Sequence, residues 1–196
     1  MIIGIDPGYS GAIAVLFNSG DVSVCDMPVD NIYRTKSVKK KVIEDGAEVI
    51  KKKHKQSVSH KLSLSLIEQY LRDCMTTANE QSIRDTGLPF SGGHVFIEKS
   101  QPMPKQGVVS VGNYMYAYGQ LIALLFSLRL SYTEVIPVVW KRVMFFGMAK
   151  ADGKINDLIR ARQLFPQIEI PKTKDGRADA LLIAEYGRRS LLLKGT

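Results

Sequence analysis

The first 27 residues constrain the sheet this chain has to build. Three short runs rich in Ile, Val and Ala, at residues 2–5, 12–17 and 22–27, are separated by Gly8-Tyr9-Ser10-Gly11 and by Asn18-Ser19-Gly20-Asp21. The runs have strand length, and the clusters between them are turn chemistry, so the segment reads as a three-stranded antiparallel meander. The period then changes. Residues 63–77 place Leu64, Ile67, Leu71 and Cys74 on one helical face, residues 94–98 form a buried strand ending in Glu98, and residues 107–130 hold a long apolar helix. That helix is apolar around most of its circumference, which suits burial or an interface. A further strand is expected at 132–137 and helices at 138–144, 156–165 and 177–193, whereas residues 78–91 follow no pattern. Three strands followed by alternating helices and strands make an α/β domain of three layers around a mixed sheet. A chain of 196 residues fits one such domain, spanning 1–196, with a basic insertion at about 30–61.

Lys and Arg outnumber Asp and Glu by 27 to 19, for a net charge of +8, which favours a polyanionic partner. The excess is concentrated: residues 34–61 carry ten Lys or Arg against three acids, including Lys39-Lys40-Lys41 and Lys51-Lys52-Lys53. A run this dense self-repels, so it is expected to be a mobile arm that binds phosphates, with Lys39, Lys40 and Lys41 as contacts. No apolar run approaches the roughly 20 residues a bilayer demands, so no membrane partner is expected. Met1 runs directly into Ile-Ile-Gly-Ile without a signal pattern. The expected location is intracellular, in bacterial or phage-infected cytoplasm, or a chloroplast if a transit peptide has been removed. Cys25 and Cys74 match neither a disulfide framework nor a zinc pattern, and read as free thiols.

Four carboxylates sit where backbone geometry can gather them. Asp6 ends the first strand before Pro7-Gly8, Glu98 ends a later strand before Lys99-Ser100-Gln101-Pro102, and Asp175 and Asp179 lie four apart at the start of the last helix, on one face. Each has a plainer reading: a turn former at Asp6, a surface strand end at Glu98, an N-cap at Asp175 and an ion pair with Arg177 at Asp179. Gathered together, like charges are unfavourable unless cations occupy the site, and all-oxygen ligands select Mg²⁺, with Mn²⁺ able to substitute. Two such ions can activate water on one side of a phosphodiester and stabilise the departing oxygen on the other.

The segments Gly4-Ile5-Asp6-Pro7-Gly8 through Gly11, Phe96-Ile97-Glu98 with Pro102 beyond it, Trp140-Lys141-Arg142, and Asp175-Gly176-Arg177-Ala178-Asp179-Ala180-Leu181-Leu182-Ile183-Ala184 resemble the RuvC family of Holliday junction resolvases. Within that family they are most similar to the chloroplast-type branch and its phage-encoded relatives. The resemblance implies a ribonuclease H-like three-layer fold, with a five-stranded mixed sheet flanked by helices. It also implies a homodimer that nicks opposing strands of a four-way junction, and two metal ions per active site held by Asp6, Glu98, Asp175 and Asp179. Lys141, and with it Lys154, would serve as cations at the scissile or flanking phosphate, next to Arg142. Met103 stands where the family carries a side chain that wedges into the junction, and Lys105, Gln106 and Asn113 are further candidates for the DNA surface. The bacterial members usually space the last two acids by three, whereas here the spacing is four.

Three other readings compete. A less selective flap or debranching nuclease would share all four acids. A non-catalytic junction-binding protein would not retain bare acids that repel DNA. An actin-like or sugar-kinase ATPase also begins with Asp-x-Gly after a strand, but the chain is too short for the two domains that clamp a nucleotide.

Overall fold

The computed structural model describes residues 1–44, 47–99, 101–102, 106–148, 155–173 and 175–194, with backbone alone for 36, 38–44, 47–53, 55 and 194. The elements in chain order are β1 (Ile2–Asp6), β2 (Ala12–Leu16), β3 (Val22–Asp26), β4 (Val29–Glu44), β5 (Ala47–Leu62), α1 (Leu64–Thr86), β6 (His94–Glu98), α2 (Val108–Ser127), β7 (Ser131–Val135), α3 (Pro137–Met144), α4 (Ile155–Leu164) and α5 (Asp175–Lys194). The main sheet has the order β3-β2-β1-β6-β7. The meander β1-β2-β3 is antiparallel, and β6 and β7 join it parallel to β1 through the crossovers that contain α1 and α2. This is the five-stranded mixed sheet that the resemblance implied.

Strand alternation divides the core in two. Ile3, Ile5, Ile13, Val15, Val95 and Ile97 pack on one side with Ile67 and Leu71 of α1 and Leu121 and Leu125 of α2. Ala12, Ala14, Leu16 and Phe96 pack on the other with Trp140 and Met144 of α3, Ala161 of α4 and the buried run Ala180-Leu181-Leu182-Ile183-Ala184 of α5. The second face is lined with small residues, and this lets α5 approach β1 at close range. A side chain on Gly4 would collide with the backbone of Ala180 and Ala184, and one on Gly176 would collide with Ser10 and Gly11.

Two segments differ from the sequence reading. Helix α1 continues nine residues past 77 to Thr86, where Gly87 closes it at φ +71° with its N–H bonded to the Ile83 carbonyl at 2.9 Å. Beyond Ala78 this part of the helix is solvated, so it has no apolar stripe to betray it. The basic insertion, to which the sequence reading assigned no secondary structure, is a two-stranded ribbon, β4 paired with β5 over its whole length. Its Val, Ile, Thr and Tyr residues favour strands, a preference that lysine density hid from a reading based on charge.

The close seam predicts opposite effects for two glycines. Gly4→Ala will destabilise by about 1–3 kcal/mol or more, since the added methyl meets helix backbone that has no room to yield. Gly119→Ala, in the interior of α2 with open space around the added carbon, will stabilise by about 0.5–1 kcal/mol. Thermal unfolding of the two variants reads both signs.

Candidate active site

Asp6 and Glu98 are the last residues of β1 and β6. The parallel register sets Ile5 opposite Ile97, so the two acids end adjacent strands at the same level. Both share strand parity with Gly4 and Phe96, which places them on the face that α5 covers. Asp175 opens α5, its Oδ1 accepting the Gly176 N–H at 3.1 Å. Asp179 follows one turn later, above the strand ends. Its Oδ1 is sealed from solvent and, among the described residues, has no hydrogen-bond partner.

The electrostatics show that these groups sense one another's charge. Burial pushes the Asp179 carboxyl up to about 8, Lys141 opposes the shift, and the charges of Asp157, Asp6 and Glu98 add to it. Burial also raises Glu98, against the opposing pull of the Trp140 N–H and the Lys141 ammonium. The Trp140 indole donates to Glu98 Oε2 at 2.9 Å and is itself fully buried, so a core residue of α3 orients this acid. Burial pulls Lys141 down, but Asp179, Asp157 and Glu98 outweigh it, and its net shift is upward. Lys141 therefore stands as a cation amid three acids.

One of those acids escaped the sequence reading. Asp157 of α4 is 4% exposed, and its Oδ2 lies 3.1 Å from Lys141 Nζ. The available signal was its position: Asp157 falls on the same helical stripe as buried Ala161 and Phe165, where an acid has no business without a partner. Conversely, Arg177 is not the partner of Asp179. Its Nε donates to Asp26 Oδ1 of β3 at 2.6 Å, pinning the start of α5 to the far side of the meander.

Of the other residues singled out from sequence, Arg142 is exposed on α3 and Asn113 is exposed on α2. Gln106 lines a cleft of about 290 Å³ together with Glu98, Lys99, Gln101, Tyr114 and Pro137, which opens beside the acids. Lys39, Lys40 and Lys41 lie on β4. Met103, Lys105 and Lys154 lie outside the described residues.

The donor chemistry fits hard divalent cations: the donors are carboxylate oxygens, one of them buried without a partner, and their mutual repulsion awaits positive charge. Among the described residues, however, no three His, Cys, Asp or Glu side chains are drawn together as an assembled ion site. Lys141 supplies the positive charge at the centre of the group.

No protein-family model matches the chain, and no curated protein matches it in sequence. Among solved structures it is similar to Thermus thermophilus RuvC, at 16% identity and a TM-score of 0.45, covering 98% of this chain and 96% of the other. It is similar also to T. thermophilus RuvC in complex with Holliday junction substrate, at 16% identity and a TM-score of 0.44, covering 96% and 95%.

The raised carboxyl of Asp179 has a measurable consequence for stability. Its folded-state value lies above the unfolded value near 4, so the folded chain holds a proton that the unfolded chain has released. Without divalent metal, stability therefore falls as pH rises from about 4 to about 8. Asp179→Asn removes that slope, and in EDTA its melting temperature should gain on the wild type between pH 5 and pH 8.5. Mg²⁺ added at pH 8.5 should raise the wild type more than the variant. A constant difference across pH would mean that Asp179 is not destabilised by its surroundings.

Proposed function

We propose that this protein is a divalent-cation-dependent DNA endonuclease that resolves four-way junctions, placing paired symmetrical nicks in opposing strands. The observation that carries the proposal is the convergence of Asp6 and Glu98, at adjacent strand ends, with Asp179 of α5, whose buried Oδ1 has no hydrogen-bond partner among the described residues, near Lys141. In this reading Asp6, Glu98 and Asp179 hold two Mg²⁺ ions, with Asp175 as a further ligand. Such ions supply Lewis acidity, activating a water and neutralising charge on the phosphodiester oxygens.

The chain's own residues do the rest. The ends of β1 and β6 fix two carboxylates on a rigid sheet, and Trp140 sets the rotamer of Glu98 through its 2.9 Å bond. Lys141, held by Asp157, offers a compact positive charge to the scissile or flanking phosphate. Arg142 and Gln106 extend the contact surface, and Met103, Lys105, Asn113 and Lys154 belong to the same proposed DNA-facing set.

We further propose a homodimer that presents two such sites to one junction. Helix α2 leaves Val108, Val109, Tyr116 and Phe126 at 87%, 77%, 61% and 81% exposed. Apolar area of this kind on one helix suits a self-complementary interface about a two-fold axis.

Incubation with a synthetic four-way junction, with and without Mg²⁺, followed by mapping of the nicks, tests the reaction. Symmetrical, metal-dependent nicks are expected. A single nick on a flap or fork would select the less selective debranching nuclease, and binding without cleavage would refute both nuclease readings. Asp6→Asn, Glu98→Gln and Asp179→Asn should abolish cleavage while retaining or tightening junction binding, because each removes a ligand and a charge that faces phosphate. Lys141→Ala should slow cleavage about 10²–10³-fold. Asp175→Asn separates ligand from helix cap, since Asn caps nearly as well as Asp and activity persists if capping is its sole role.

Sedimentation tests the assembly. A dimer is expected at micromolar concentration, weakened by Val109→Glu or Phe126→Glu. A monomer on and off DNA would overturn it.

A further inference from the structure

The ribbon formed by β4 and β5 has 16 residues in each strand, paired from Val29 opposite Leu62 at its root to Glu44 opposite Ala47 at its tip. At about 3.4 Å per residue it reaches about 50 Å. It forms a sheet of its own, and among the described residues its root alone enters the core, through buried Leu62 and the adjoining Val29. Four rungs out, the paired Tyr33 and Val58 are already exposed.

Left to itself such an element is poorly stabilised. An isolated two-stranded ribbon is marginal in water, and like charges set directly opposite one another weaken a ladder further. Here the register sets Lys36 opposite Lys55, Lys39 opposite Lys52 and Lys40 opposite Lys51. The charge is also segregated along the length. The shaft, residues 34–43 and the facing 49–57, carries nine Lys or Arg and no acid, while Asp30 lies near the root opposite Lys61 and Glu44 and Glu48 lie at the far end of the ladder. A solvated surface hairpin would be better served by mixing its charges, with acid opposite base. Lysine opposite lysine over consecutive rungs calls for an extended anion that runs along the ribbon.

We infer that this ribbon is an arm that docks along the duplex portion of a DNA substrate, its shaft on the phosphates and its acidic tip beyond them. A two-stranded ribbon is one of the elements that a major groove about 12 Å wide admits. Residues 34–41 of the shaft extend about 24 Å, or about seven base pairs at 3.4 Å each. The inference rests on the reading of DNA as the ligand, and deepens it: the acids act at the branch point, whereas the arm grips the double helix leading away from it. Its contribution is accordingly the same for a plain duplex as for a junction.

The test is a variant with Lys39, Lys40, Lys51 and Lys52 all replaced by Gln, which neutralises two adjacent rungs and relieves repulsion in the ribbon rather than creating it. Binding to a plain duplex of 30 base pairs and to a four-way junction is measured from 50 to 300 mM salt. Affinity for both should fall about tenfold or more at moderate salt, and the log-log salt slope should flatten by about 0.9 for each phosphate that the arm no longer neutralises. Replacement of the same four lysines by Arg should retain binding, Glu44→Gln with Glu48→Gln should not weaken it, and junction cleavage at saturating protein should persist in the Gln variant. Unchanged affinity and slope would overturn the arm, as would a variant whose defect is a shift in sedimentation, since the ribbon would then join copies of the chain. The two proposals fail separately. A wild type that binds both DNAs without cutting refutes the nuclease and leaves the arm, and a wild type that cuts with arm variants that bind normally does the reverse.

Discussion

The distance between α5 and β1 governs everything else in this molecule. Gly4 on the strand faces Ala180 and Ala184 on the helix with no room for a methyl between them, and Gly176 rests equally close on the Ser10-Gly11 turn. Backbone thus lies nearly on backbone. Had the helix been held off by ordinary side chains, Asp179 would ride well above the strand ends, and solvent would fill the gap between it and Asp6 and Glu98. The small residues are therefore the means by which three acids from three separate segments of the chain, at positions 6, 98 and 179, come within electrostatic reach of one another. Arg177, reaching across to Asp26, fixes the rotation of the same helix end.

Packing so close comes at a thermodynamic cost, and the cost falls on the acids. Burial and mutual repulsion raise the carboxyl of Asp179 and, more weakly, that of Glu98. A fold selected for stability alone would place an apolar side chain at Asp179, beside Ala178, Ala180 and Leu181, all of which are fully buried. Lys141 offsets part of the penalty, but it reaches the group on a flexible stem, and its direct partner is Asp157, from a different helix. One lysine among these acids leaves the centre short of positive charge, which a bound cation would supply. Strain of this sort, retained where a purely structural optimum would remove it, is a common mark of a site that does chemistry.

Much of this was legible in the sequence, for physical reasons that differ from residue to residue. The meander could be read because its strands are short and its turns rich in Gly, Asn and Asp. Asp6 and Glu98 could be read because a strand that ends in an acid, followed by proline or polar residues, exposes the carboxylate at a sheet edge. Asp157 could not be read by the same logic, since it announces itself only by sitting in an apolar stripe, and its partner Lys141 lies 16 residues away on another helix. The extension of α1 past Ala78 left no apolar period to detect. The ribbon was misjudged because its charge was weighed and its β-branched residues were not: repulsion between lysines opposes pairing, but a continuous backbone ladder from Val29 to Glu44 outweighs it here.

The ribbon's mode of construction also bears on how this protein can change over time. Its regularity comes from the ladder rather than from a core, and its ties to the rest of the molecule lie at the root, through Val29, Leu62 and the His60 ring beside Tyr9. Rungs can be added or removed at the far end without disturbing any packed residue, provided both strands change together, because an unmatched insertion in one strand slips the register and turns its side chains to the opposite face. The reach of the arm thus changes in steps of about 3.4 Å, one rung at a time. Length becomes a heritable dial, free to drift while the buried seam that sets the acids stays fixed.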